Sequence, residues 1–159
     1  MGSFDVLLSD ERAQLDAFVE EYRSAIEAAL EGITEAQARE RLVPSATTLL
    51  GLLKHVTWMQ RVWFEEGIGG TPRLELGLVQ TPAESFELAA DDTIANVTAA
   101  HRRACATARA AVADLSLDDV VTGHRGGPRT VHWVYLQVLR ELAHHCGHAD
   151  ILREQMLAP

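Results

Sequence analysis

The chain has 159 residues, 47% hydrophobic and 23% charged, with a formal net charge of −9 at pH 7. This is enough chain to bury a core in one domain over 1–159, and the composition excludes a disordered polymer. The acidic balance, with no basic stripe, excludes a nucleic-acid backbone or an anionic membrane as the main partner, since both demand clustered cations.

The opening stretch MGSFDVLLSDERAQ reaches acidic residues within ten positions and lacks the positive region of a secretory signal. No apolar run approaches the roughly 20 residues that span a bilayer. Cys105 and Cys146 fall on separate predicted helices and offer no disulfide framework, so a reduced cytoplasm is the expected compartment. Thirteen arginines stand against one lysine, Lys54. That bias reflects a GC-rich coding sequence, not a property of the fold.

Apolar residues at Leu15, Phe18/Val19, Tyr22, Ile26 and Ala29/Leu30 carry a helical period, which predicts a first helix over about 10–31. Ser9 is its expected N-cap, Asp10 and Glu11 suit the positive end of the helix dipole, and Gly32 is its stop. Thr34 and Gln37 have the spacing of a capping box for a short turn ended by Pro44. The segment LLGLLKHVTWMQRVWFEEG follows a cap-rich stretch and predicts a second helix over about 48–66. From Gly67 to Ala90 glycines and prolines interrupt any period, giving a connection long enough to be functional. Asp91-Asp92-Thr93 caps a third helix with the stripe Ile94, Val97, His101, Ala104, Ala108, Val112 and Leu115. After a turn at 123–130, Thr130 opens a fourth helix that reaches about Met156. There is no β-alternation of useful length. The expected fold is all-α, a four-helix bundle, in which metal sites are built from side chains on facing helices.

The chemistry concentrates in the fourth helix, where RELAHHCGHADILRE sets three histidines beside a carboxylate. At about 100° per residue from Glu141, His145 lies near 40° and His148 near −20°, so the three share a face; His144 falls at about −60° and Cys146 at about 140°. Glu141 and His145, four apart, place a carboxylate oxygen and an imidazole nitrogen one turn apart, close enough to hold one cation. Two ligands from one helix rarely suffice. His55 is the leading third ligand, because it edges the apolar stripe of the second helix between Leu52 and Met59, where an unpaired imidazole is costly. The other histidines read as structural: His101 as a hydrogen-bonded core group, His124 in a turn, His132 near the surface. Trp58, Met59, Trp63 and Phe64 have core spacing, and Cys146 is a small packing residue with nothing in sequence to lower its pKa.

The segments VPSATTLLGLLKHVTWMQRVWF, SFELAADDTI and RTVHWVYLQVLRELAHHCGHADILRE resemble the DinB superfamily of metal-binding four-helix proteins. More narrowly, they are similar to its actinobacterial branch of mycothiol-dependent enzymes. The resemblance implies one ligand from the second helix, matched by His55, and two from the last helix four residues apart. The family glycine two positions after the final ligand matches Gly147, which selects His145 and places Glu141 at the other position. Many members have histidine there, while the maleylpyruvate isomerase type has glutamate, as here. His144 and His148 are also four apart, so a shifted register that uses them with His55 stays open. The resemblance further implies an up-down-down-up bundle with 67–90 as the crossing connection, and the homodimer that members commonly form.

A Zn²⁺ ion suits two nitrogens, one oxygen and an open position, and Ni²⁺ or Fe²⁺ also fit. A thiol at that position is deprotonated at neutral pH. The expected function is therefore a metal-dependent S-transferase joining a low-molecular-weight thiol such as mycothiol to a small electrophile. His148 is the expected catalytic base or an alternative ligand. A hydrolase or isomerase acting through metal-activated water, and a metal-binding detoxification protein without turnover, are the competing expectations. No residue outside the histidine cluster has a spacing that specifies the electrophile.

Overall fold

A computed structural model describes residues 2–158, and side-chain caps open its helices where capping residues stand in the sequence. Helix α1 spans Glu11–Ala28, with Asp10, one residue beyond the expected Ser9, accepting from the Ala13 N–H at 2.9 Å. The chain then turns at Gly32, whose φ of 72° is a conformation that side chains with a Cβ rarely adopt. The single-turn helix α2, Glu35–Ala38, is held by the reciprocal Thr34–Gln37 capping box. Helix α3 spans Leu49–Arg61 behind Thr48, α4 spans Ile94–Val112 behind Thr93, and α5 spans Val131–Leu157 behind Thr130. Each of these three threonines accepts a backbone N–H from the first turn of its helix. The described residues are mostly helical. One departure from the expectation is a pair of two-residue strands, β1 (Val120–Val121) and β2 (Arg129–Thr130), which pair antiparallel and close the turn before α5.

Helix α3 is buried nearly all round because it packs against both α4 and α5, and α1 covers α5 from another side. Leu50, Leu52, Leu53 and Val56 have no exposed surface. Burial of such side chains stabilises the fold by up to about 1.5–3 kcal/mol each. Tyr135 donates its hydroxyl proton to Asp16 at 2.5 Å and Arg153 donates to the Ala29 carbonyl at 2.7 Å, which fastens α5 to α1. Between α1 and α4, Arg12 donates to the Val112 carbonyl at 3.0 Å, and the other links are the ion pairs Arg109–Glu20 and Arg102–Glu27 near the surface. Being exposed, they contribute little.

The second long helix does not stop at Arg61. It widens into a π-helical turn over Val62–Ile68, seen in the Gly69 N–H donating five residues back to Phe64 at 2.9 Å. Glu66 in that turn is buried and takes two nitrogens of the buried Arg73 on one oxygen, at 2.7 and 2.8 Å. The rest of the connection lies along α3. Trp58 donates to the Val79 carbonyl at 2.8 Å, and Lys54 donates to the Glu87 carbonyl and to Asp92, both at 2.7 Å. A 3₁₀ turn, Glu84–Phe86, packs against α3 midway along the helix.

Three histidines are buried on the long helices, His55 on α3, His101 on α4 and His145 on α5, and the second of them is a core residue. His101 on α4 is 1% exposed. Thr57 gives its single hydroxyl proton to the Leu53 carbonyl at 2.7 Å, so the His101 Nδ1, 3.2 Å from that oxygen, must donate to it. The remaining Nε2 faces the Cys105 thiol at 3.5 Å. Burial lowers the His101 pKa to about 4, so the ring is neutral, as a core histidine should be.

Two glycines give opposite expectations for stability. A Cβ on Gly123 would lie 2.0 Å from the Glu66 carbonyl oxygen, in backbone that the π turn fixes, whereas one on Gly147 in α5 meets nothing within 4 Å. Gly123→Ala should therefore lower the unfolding free energy by about 1–3 kcal/mol. Gly147→Ala should raise it by about 0.5–1 kcal/mol, the helix-propensity gain. Urea unfolding of the two variants checks both signs.

Candidate metal centre

The seam between α3 and α5 brings three donor groups together. One donor atom each from His55, Glu141 and His145 lies within 4.8 Å of the other two, and among the described residues this is the one such cluster of three. His55 comes from the middle of α3, and its ring meets that of His145 edge-on at 4.6 Å between centroids. Glu141 and His145 are one turn apart on α5, with Glu141 Oε2 and His145 Nε2 at 3.6 Å. Bonds of about 2.1 Å in a tetrahedral shell put donor atoms about 3.4 Å apart. The α5 pair already stands near that spacing. The donor chemistry fits a divalent transition ion, with two imidazoles, one carboxylate and no competing cation among the three.

Each donor is held by a partner. Glu141 Oε1 accepts from Gln137 Nε2 and from an Arg140 terminal nitrogen, both at 3.0 Å, which turns Oε2 toward His145. On His55, Nδ1 lies 2.7 Å from the hydroxyl of Ser85, a buried residue of the 3₁₀ turn. Ser85 has one hydroxyl proton and donates it to the Pro82 carbonyl at 2.6 Å. The His55 Nδ1 must therefore carry a proton and donate it to Ser85, which leaves Nε2 with the free lone pair. That nitrogen has no hydrogen-bond partner among the described residues, in contrast to both nitrogens of His101. Phe86, stacked on the His55 ring at 4.0 Å between centroids, fixes the ring plane.

Burial, with a smaller push from the neighbouring His145, lowers the His55 pKa to about 3. Burial also lowers that of His145, against the opposing pull of Glu141. Both rings are neutral at pH 7 and keep a lone pair for coordination. His148 is exposed and its Nδ1 stands 3.4 Å from the His145 Nδ1, beside the cluster and not in it. His144 is also exposed; it stacks on His145 at 5.3 Å between centroids and lies tilted against His148 at 4.5 Å. The side chains thus gather the Glu141/His145 pair with His55 and leave the His144/His148 pair outside. Cys146 points to the Tyr22 carbonyl at 3.4 Å, and burial pushes its thiol up to about 12, so it is inert packing. His124 stacks on Trp63, and His132 pairs with Glu11 at 3.1 Å.

Ser85, Phe86, Gln137 and Arg140 are supporting residues that sequence reading missed. Gln137 had a signal, since it precedes Glu141 by one turn of the same helix. Ser85 had none: it lies 30 residues from His55 in a connection without period.

A sequence model of the family described as Mycothiol-S-transferase matches residues 14–158. No curated protein matches the chain.

The Ser85 contact is testable by long-range ¹H–¹⁵N NMR on the metal-free protein. His55 should show its proton on Nδ1, and Ser85→Ala should remove that preference while the fold survives. The same variant should bind a divalent ion about 10–100-fold more weakly, the usual effect of removing an outer hydrogen bond from a ligating histidine. Unchanged affinity would show that the contact does not prepare the site.

Proposed function

The chain belongs to the mycothiol-S-transferase family, and from that premise we propose a metal-dependent transfer of a low-molecular-weight thiol, mycothiol, onto a small electrophile. One observation carries the reading. Two neutral imidazoles and a carboxylate converge at the edge of a cavity of about 570 Å³, whose wall includes His55, Phe86, Arg140, Glu141 and His145. Three protein donors that face a cavity leave room for a fourth, substrate ligand, the arrangement of a catalytic and not a structural site.

His55, Glu141 and His145 would hold the ion, Zn²⁺ in first place, with Ni²⁺ or Fe²⁺ compatible with the same donors. When bound, such an ion supplies a Lewis acid that brings a thiol's pKa below neutrality. The chain's own residues do the rest. Ser85 keeps the His55 lone pair on Nε2, and Gln137 and Arg140 keep Glu141 Oε2 turned inward. His148 accepts the His145 Nδ1–H at its own Nδ1, which keeps the His145 lone pair on Nε2, and the thiol proton leaves to solvent through the open cavity. The thiol sulfur then bonds to the electrophilic carbon as the bond to the leaving group breaks, and the leaving group departs as an anion with the bonding pair. The same reading takes the four long helices as an up-down-down-up bundle forming one domain, and the protein as a cytoplasmic homodimer that detoxifies electrophiles.

Conjugation of monochlorobimane should require both mycothiol and a divalent ion, with glutathione a poor substitute; equal rates without any thiol would contradict the proposal. His55→Ala, Glu141→Ala and His145→Ala should each weaken metal binding by more than about 100-fold, beyond what outer partners contribute, whereas His144→Ala should keep the ion. A competition titration against a chromogenic chelator reads this directly. Retention of the ion by Glu141→Ala together with its loss from His144→Ala would show that the ligands belong to the shifted register.

A further inference from the structure

One turn beyond the candidate ligands, α5 borders a second cavity of a different character. It measures about 340 Å³ and is lined by Val43, Ser45, Thr47, His148, Ile151 and Leu152. No Asp, Glu, Lys or Arg lines it, whereas the cavity at the cluster is lined by Arg140 and Glu141. Its volume falls within the about 300–1,000 Å³ of small-molecule sites, and three of its six residues are aliphatic. Ile151 is 56% exposed at a position that solvent contact alone would give to a polar residue, while Leu152 beside it is buried.

Two details connect this cavity to the reaction. His148 belongs to its wall and also touches His145, with the two Nδ1 atoms 3.4 Å apart, so one side chain separates the cavity from the cluster. Ser45 donates its hydroxyl proton to Thr47 Oγ1 at 3.0 Å. The Thr47 hydroxyl proton has no acceptor among the described residues, so with the His148 ring it supplies the polar side of a wall that is otherwise largely aliphatic. A two-substrate transfer needs two compartments that meet at the reacting atoms. Here they differ in the charged residues of their walls and share the His145–His148 contact.

Resting on the S-transferase reading, we infer that this cavity is the electrophile subsite, and that it takes an uncharged organic molecule with an apolar body and one hydrogen-bond acceptor directed at Thr47. A polar thiol enters by the cluster-side cavity, and the electrophile approaches from the His148 side. A carboxylate or phosphate substrate is disfavoured, because no Lys or Arg lines the cavity to replace its hydration.

Amide NMR of the full chain, titrated with nitrobenzene and separately with benzoate, tests the subsite. The two probes are similar in shape and differ in charge. Nitrobenzene should give saturable shifts at Thr47, His148, Ile151 and Leu152, and benzoate should bind at least about tenfold more weakly. Ile151→Trp, at an exposed position that tolerates change, should fill the cavity and weaken nitrobenzene by about tenfold or more, with the circular dichroism spectrum unchanged. Shifts that map elsewhere, equal binding of benzoate, or an unaffected Ile151→Trp variant would each overturn the assignment. Because the titration needs neither metal nor thiol, it fails independently of the activity. Binding at this cavity without thiol-dependent turnover would keep the subsite and sink the transferase reading, and turnover of an electrophile that does not bind here would do the reverse.

Discussion

A buried imidazole has two nitrogens to satisfy, and at His55 the protein satisfies one. The hydroxyl of Ser85 spends its only proton on the Pro82 carbonyl, so it can only accept from His55 Nδ1. Everything else at the site follows from that constraint. The ring is fixed in tautomer by Ser85 and in plane by Phe86, and its free lone pair is left at the seam where α5 presents Glu141 and His145. The connection that supplies Ser85 and Phe86 is itself tied along α3 by Trp58, Lys54 and the buried Glu66–Arg73 pair. A hydrogen bond of 2.7 Å thus depends on the ordering of some twenty-five residues between two helices.

His101 supplies the internal control. It is buried as deeply, it donates from the same nitrogen to a hydroxyl whose proton is likewise committed, and its second nitrogen faces the Cys105 thiol. The two histidines differ in what the second nitrogen meets. One finds a protein partner on its own helix, while the other finds a carboxylate and an imidazole from a facing helix. That difference, and not burial or a low pKa, separates a candidate ligand from a core histidine.

The parts legible in sequence were those written in local spacing. Helix periods and threonine caps placed the long helices to within a few residues, and the four-residue step from Glu141 to His145 put a carboxylate and an imidazole on one face. His55 was legible because an isolated polar ring in an apolar stripe needs an explanation. The π turn at Val62–Ile68, the two-residue strands and the approach of Gly123 to the Glu66 carbonyl were not legible, since each is a backbone arrangement that writes no side-chain period. Ser85 was hidden for the same reason. The apolar cavity at Ile151 was hidden too, because Val43 and Thr47 come from a loop about a hundred residues earlier in the chain.

The central claim is that His55, Glu141 and His145 form an open three-ligand metal centre that admits a thiol. Zinc K-edge X-ray absorption on protein loaded with one equivalent of Zn²⁺ addresses it without reference to turnover. Before thiol is added, the spectrum should fit two imidazole nitrogens and oxygen ligands at about 2.0–2.2 Å with no sulfur, and addition of mycothiol should introduce one sulfur at about 2.3 Å. A sulfur scatterer in the thiol-free protein, a shell that mycothiol leaves unchanged, or protein that takes up no zinc would contradict the account.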